Sequence, residues 1–349
     1  NIISTSRTWE TIQTTNVGFD FSTLNNRLYG SFDYFWKENK NMLIPKTYPS
    51  MLGADAPSTN SGHLSIHGWE ISLGWRDQIK DFSYSVRFNI SDAKNKVVDR
   101  VGSNLIKLGN NETPTGYPLN SYFGYEFDGI IQNEQELEAY KSRFSEGGIP
   151  GDLSVGDAMY KDLDGDGKLS VLGDGKEGSG DVKYLGDKNP RYNFGFNLIM
   201  AWKGFDLSAF IQGVGRRTMF LEGESRCPMP EAWYQSAEYW YGKTWTPERT
   251  DAQYPAITLK DKRNYNYYVS TNTKFNVAYA RLKNLQFGYT IPQTLTSKAG
   301  LQKVRVYFSG EDLFEVHNTP NGWDPEENSG SITSYPFTRN YSFGINVVF

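Results

Sequence analysis

A chain of 349 residues suits two ordinary domains or one large all-β unit. Its net charge of −4 argues against a nucleic-acid surface, and its single cysteine, Cys227, excludes an internal disulfide. No run of about 18 apolar residues supplies a transmembrane helix, but a mean hydropathy of −0.59 does not exclude a barrel, whose alternating strands average out.

The 23 Tyr, 21 Phe and 34 Gly suit strands and turns, and segments of period two recur along the chain. TNVGFDFS sets Val17, Phe19 and Phe21 against Gly18, Asp20 and Ser22. RLYGSFDYFW sets Leu28, Phe32, Tyr34 and Trp36 against Tyr29, Ser31 and Asp33. GWEISLGWR and FSYSVRFNIS repeat the scheme with Trp69, Ile71, Leu73 and Trp75, then with Phe82, Tyr84, Val86, Phe88 and Ile90. YNFGFNLIMAW and FDLSAFIQG follow, the latter with Phe205, Leu207, Ala209 and Ile211 on one side. FNVAYARLKNLQFGYTIP slips phase at Arg281–Asn284, which predicts a bulge. VRVYFSG and the terminal YSFGINVVF complete about nine strands. Asp20, Asp33, Glu70, Arg87 and Arg305 stand on the opposite face, which suits a water-filled lumen or the outer face of a sandwich, not a dry core. Trp36, Trp69, Trp75 and Trp202, expected towards strand ends, suit an interfacial girdle or plain packing.

Connections separate these readings. Asn25-Asn26, 76–81 and Lys203-Gly204 are tight, and 292–303 is intermediate. The others, at roughly 39–64, 96–190, 217–273 and 315–339, are long. Strict alternation of short and long predicts an antiparallel transmembrane barrel with periplasmic turns and long extracellular loops. Nine strands cannot close such a barrel, so residues 1–349 are expected to be its C-terminal portion, with the N-terminal strands elsewhere. The opening NIISTSRTWE has no leader pattern and reads as the interior of a longer polypeptide. The final strand, ending on Phe349, is expected to close the wall.

Within the long connections, NEQELEAYKSRF predicts a short surface helix capped by Asn133, with Glu136 three residues on. YKDLDGDGKLS places Asp162, Asp164 and Asp166 at positions one, three and five of an EF-hand-like loop, with Gly167 at six. Gly173 stands where the bidentate Glu belongs, Asp174 is one residue beyond, and no helix pair is expected around the loop. The loop reads either as a Ca²⁺ site that pins it or as a solvated acidic turn. The connection at 217–273 is dense in rings; Trp233, Tyr234, Tyr239 and Trp240 are the ligand candidates, with packing of the loop on itself as the alternative. His63, His67 and His317 are scattered, and no spacing marks a catalytic group.

Eight stretches resemble one family, the SusC/RagA-like TonB-dependent outer-membrane transporters. They are WETIQTTNVGFDFSTLNNRLYGSFDYFWKENKNML, NSGHLSIHGWEISLGW, SYFGYEFDGIIQN, YKDLDGDGKLS, LGDKNPRYNFGFN, WTPERTDAQYPA, YARLKNLQFGYTIP and SFGINVVF. The resemblance implies a 22-stranded barrel with a plug domain upstream, TonB-driven import of oligosaccharides or peptides, and a SusD-like lipoprotein over the barrel. Because WTPERTDAQYP resembles a family-wide segment, it also implies a structural role for Trp245 and Tyr254. It implies no enzyme activity, an outer-membrane location, and lipid on the apolar face. The alternatives are a secreted carbohydrate-binding β-domain and a barrel with no import role.

Overall fold

The computed structural model describes residues 7–45, 58–100, 106, 108–109, 113–172, 180–230, 235–258, 261–327, 330, 335 and 337–349. Its elements run β1 (Thr11–Thr23), β2 (Leu28–Pro45), β3 (Ser58–Ile79) and β4 (Phe82–Arg100). The short β5 (Ser121–Tyr125), β6 (Phe127–Ile130), α1 (Glu134–Arg143), β7 (Ala158–Tyr160) and β8 (Val182–Asp187) follow. Next come β9 (Arg191–Trp202), β10 (Phe205–Arg216), β11 (Thr218–Phe220), α2 (Asp261–Asn266) and β12 (Lys274–Asn276). The chain ends with β13 (Tyr279–Thr290), α3 (Gln293–Thr296), β14 (Lys303–His317) and β15 (Asn340–Val348). Nine long strands form one antiparallel sheet in the order β1-β2-β3-β4-β9-β10-β13-β14-β15, so each pairs with its successor in the wall.

Register turns the period-two pattern into two continuous faces, because directly paired residues share a side. Phe19, Phe32, Ile71, Ile90 and Phe194 form one row. Leu207, Phe287, Phe308 and Phe343 form another on the same face. These side chains are not gathered into a core: Phe343 is 83% exposed and Phe19 61%. Fully burying each would contribute about 1.5–3 kcal/mol, so this face requires an apolar medium. Asp20, Ser31, Ser72, Asn89 and Gly195 form the matching row on the other side. There the Arg305 guanidinium donates to both oxygens of Asp206 and, at 3.1 Å, to Gln286. It crosses Gly288, where a Cβ would meet Arg305 Nη2 at 2.5 Å.

Several boundaries differ from those expected. β2 and β3 extend to Pro45 and from Ser58, so the connection expected at 39–64 shrinks to 46–57. Apolar alternation stops where one face leaves the apolar medium, whereas ladder hydrogen bonds continue. The turn expected over 76–81 narrows to Lys80-Asp81. The phase slip is a bulge at Lys283, skipped in both flanking ladders. Phe275 lies on the separate β12, with Val277 between the two strands. Lys203-Gly204, with φ of +46° and +90°, closes a two-residue hairpin of the kind that matches strand twist.

The four tryptophans fall at two levels, although Trp36 and Trp69 lie inside their lengthened strands. Trp36 pairs with His67, eight residues from Trp75, roughly 26 Å along the strand and roughly 20 Å in height after tilt. That spacing suits two aromatic belts, with β2 and β3 continuing above the upper one.

The long connections are folded, not draped. Tyr125, Ile131, Leu137, Tyr140, Phe144 and Tyr160 pack with Tyr265 from the next connection. A second cluster joins Met219, Trp240, Tyr254, Tyr267 and Val277 to Trp323 of the third. α1 is capped as expected: Asn133 Oδ1 accepts from Glu136 N, and Glu136 Oε2 accepts from Gln132 N. Its buried Leu137 and Tyr140 face the first cluster.

Candidate functional site

The ring-dense connection divides by burial. Trp240 and Tyr254 are 3% and 0% exposed and pack against each other with centroids 4.8 Å apart. Trp245 donates its indole N–H to Gln132 at 3.1 Å, tying this connection to the previous one. Tyr239 stands between core and surface: its hydroxyl lies 2.6 Å from that of Tyr254, while its ring carries Lys243 Nζ at 3.5 Å from the centroid. Burial pushes the Lys243 amine down from its ordinary value. Tyr239 then lines a cleft of about 360 Å³ with Glu238, Tyr241, Lys243, Asn321 and Trp323. Tyr241 is 89% exposed at its mouth. Flat rings edged by a carboxylate, an amine and an amide suit a polyhydroxylated ligand.

Of the four expected ligand residues, Tyr239 therefore lines a cleft and Trp240 packs beneath it. Trp233 and Tyr234 lie outside the described residues. Trp323 comes from the connection between β14 and β15, and nothing local in the sequence brings it to Tyr239.

The acidic loop closes on itself. Asp162 accepts from Gly165 N at 2.7 Å and Gly167 N at 3.0 Å. Asp164 accepts from Asp166 N and Gly180 N, and Asp166 from Lys168 N. Gly165 and Gly167 supply φ of +75° and +74° for the turn. One oxygen from each of the three carboxylates lies within 4.8 Å of the others, a spread that ligands at about 2.3–2.6 Å from a Ca²⁺ would span. The set fits a hard cation in donor type, yet most of its oxygens already receive backbone N–H groups. Asp174 lies outside the described residues. Asp181 supports the loop from beneath, accepting from Leu163 N at 2.6 Å and Ser170 N at 2.7 Å. Its burial, with the charges of Asp164 and Asp162 adding, raises its carboxyl above the ordinary value.

No family model matches the chain. It is 31% identical over 369 aligned residues to TonB-dependent receptor P3 of Formosa agariphila, an alignment covering 98% of this chain and 34% of that protein. TonB-dependent receptor SusC of Bacteroides thetaiotaomicron is 24% identical, over 98% of this chain and 32% of that one. Among solved structures, the RagAB peptide transporter matches with a TM-score of 0.74 at 21% identity, over 97% of this chain and 35% of the matched chain. The closed-closed state of that importer gives 0.73 at 22%. The chain thus spans about a third of the length of its relatives. The expected resemblance is found, and the sheet has the fold of part of such a β-barrel.

Proposed function

We propose that this chain, a SusC/RagA-like segment of a TonB-dependent transporter, forms the C-terminal part of an outer-membrane barrel that imports oligosaccharides. Residues 1–349 then belong to the wall, with lipid on the row containing Phe19 and Phe343, the folded connections outside the cell and the C-terminus in the periplasm. A plug and further strands complete the pore and contact the TonB complex. A SusD-like lipoprotein covers the cap. The observation that carries this reading is the apolar face, continuous and exposed across nine strands, in a chain similar throughout to TonB-dependent receptors.

The cleft of Tyr239, Tyr241 and Trp323 favours sugar over peptide, since its stacking faces are edged by polar groups. A peptide cargo is the second reading, favoured by the fold shared with the RagAB peptide transporter. The acidic loop is proposed as a structural brace of the cap, in which any bound Ca²⁺ would be held by Asp162, Asp164 and Asp166.

Uptake of fluorescent oligosaccharides and peptides by cells with and without the complete transporter tests this. Saccharide uptake lost on deletion and abolished by a protonophore is the expected result. Transporter-dependent uptake of peptides alone would replace sugar by peptide. A detergent-free soluble monomer without heat-modifiable gel migration would overturn the barrel reading in favour of a secreted binding domain.

A further inference from the structure

The four shorter connections close the wall at one rim, and each carries a cation. Arg27 lies between β1 and β2, Lys80 between β3 and β4, Lys203 between β9 and β10, and Lys298 between β13 and β14. Asp81 is the single acid within these connections, in a chain whose net charge is −4. Backbone geometry does not select the lysines. Lys80 and Lys203 have φ of +54° and +46°, a region that a tight hairpin fills most readily with Asn or Gly.

Register sets these cations at the edge of the apolar face. Ile79 pairs with Phe82, Phe82 with Trp202, Trp202 with Phe205 and Phe205 with Tyr289, so these five side chains form its last row. Lys80 follows Ile79, and Lys203 follows Trp202, by one residue, about 3.3 Å along the strand. Lys203 Nζ lies 5.6 Å from the Trp202 ring centroid, which keeps that ammonium on the side of the aromatic row. Leu24 and Leu295, 56% and 57% exposed, add apolar surface to the outlying connections. Arg27 is shared with Asp77 at 3.2 Å. Lys80, Lys203 and Lys298 are exposed, and their side chains have no hydrogen bond or ion pair among the described residues; Asp81 pairs with none of them.

We propose that this rim binds the headgroup phosphates of anionic glycerophospholipids in the leaflet that the short connections face. The assignment rests on the reading of the wall as embedded in a membrane, and not on the identity of the cargo. An apolar row, an aromatic ring at its edge and a flexible ammonium one residue beyond match the acyl chains, the glycerol region and the phosphate of such a lipid. Ammonium groups suit the task, since they act as mobile point charges, whereas a guanidinium fork favours an oxyanion of fixed orientation. A zwitterionic headgroup carries its own cation, which the lysines repel, so the rim selects a headgroup of net negative charge.

The test uses the complete transporter, delipidated in detergent, with lipid binding read by native mass spectrometry. The probes are dioleoylphosphatidylglycerol and dioleoylphosphatidylcholine, with inorganic phosphate as competitor. The rim variant combines Lys80→Gln, Lys203→Gln and Lys298→Gln. A control variant removes the same charge from exposed Lys40, Lys94 and Lys96, which share the face of Trp36 at the opposite end of the wall. Heat-modifiable migration verifies the fold of both. Wild type is expected to prefer phosphatidylglycerol, with an affinity that falls about fivefold or more in the rim variant and stays unchanged in the control. Equal binding of the two lipids, a preference that survives in the rim variant, or an equal loss in both variants would overturn the assignment. Displacement of the lipid by excess inorganic phosphate would do so as well, since it marks a site for the free anion. The wall is judged separately: a heat-modifiable barrel without this lipid preference removes the rim proposal alone, whereas a detergent-free soluble monomer removes the membrane reading itself.

Discussion

The hydroxyls of Tyr140 and Tyr265 lie 2.7 Å apart, and both side chains are 1% exposed. Tyr140 belongs to the connection after β4 and Tyr265 to the one after β10, so this contact fastens two long connections together. Tyr140 Oη also accepts from Tyr160 N at 2.9 Å, and Tyr160 Oη donates to the Tyr265 carbonyl at 2.8 Å. Burial pushes the Tyr140 phenol up to about 12, so it stays neutral at physiological pH. Tyr140→Phe should leave the buried Tyr160 N–H without its acceptor and weaken the cap by about 1–3 kcal/mol. Hydrogen exchange should rise at residues 158–160 and 265–268 while heat-modifiable migration of the barrel stays unchanged. Loss of the barrel itself in this variant would show that cap and wall do not fold as separable units.

Glu126 makes the cap sensitive to acid. It accepts from Lys161 at 2.7 Å and also from Lys183, and these two hydrogen bonds hold its carboxyl down to about 2 from an ordinary 4.5. A carboxylate with a depressed folded-state value stabilises above its unfolded value, and that contribution is lost as pH falls through the folded one. The cap should therefore loosen between pH 4.5 and about 2, with exchange rising around β6–β8. Both lysines are over 40% exposed, so salt should weaken the same contacts. Glu126→Gln should loosen the region at neutral pH and remove its acid dependence within this window.

Arg281 anchors the third connection. It is 1% exposed, donates to Asp324 at 2.6 Å, lies 3.0 Å from Glu315 and 3.3 Å from Glu326, and packs its guanidinium 4.1 Å from the Phe337 ring centroid. Arg281→Ala leaves three carboxylates together without this central cation, a change that typically costs about 3–5 kcal/mol. Protease cleavage within 318–327 should accelerate, and it should accelerate less in a variant that also carries Asp324→Asn. Equal cleavage in the two variants would show that the remaining carboxylates do not repel one another enough to matter.

These contacts mark the limit of what the sequence discloses. The wall is legible because lipid on one side and water on the other impose period two on Phe19, Ile71 and Phe343. The upper parts of β2 and β3 escape that rule: in KENKNM neither face meets lipid, so strand continues without alternation. Local chemistry also survives, as in the Asn133 cap and the turn built by Asp162. The cap cores do not. Tyr160 and Tyr265 are 105 residues apart, and no periodicity pairs them.

Asp162 separates a braced loop from a metal-dependent one. Its two oxygens hold Gly165 N and Gly167 N, and these contacts involve protein atoms alone. Treatment of the complete transporter with EGTA should leave protease resistance of residues 162–170 unchanged, whereas Asp162→Ala should lower it. Loss of resistance on chelation, restored by Ca²⁺ and not by Mg²⁺, would instead make the cation part of the brace.

Trp240 and Tyr241 are neighbours with opposite environments, which separates stability from ligand binding. Trp240 is 3% exposed within the second cluster, and its indole N–H has no hydrogen-bond partner among the described residues. Its contribution is therefore ring packing, so Trp240→Phe should be tolerated far better than Trp240→Ala, which should cost the cap about 3–5 kcal/mol. Tyr241 is 89% exposed beside Tyr239 and Trp323, so Tyr241→Ala should leave stability unchanged. If the cleft stacks on sugar, that substitution removes about 0.5–1.5 kcal/mol, or roughly a two- to tenfold rise in Kd for the oligosaccharide probes. Unaltered saccharide affinity in Tyr241→Ala, with the fold intact, would remove this cleft from the substrate path and leave its rings a purely structural role.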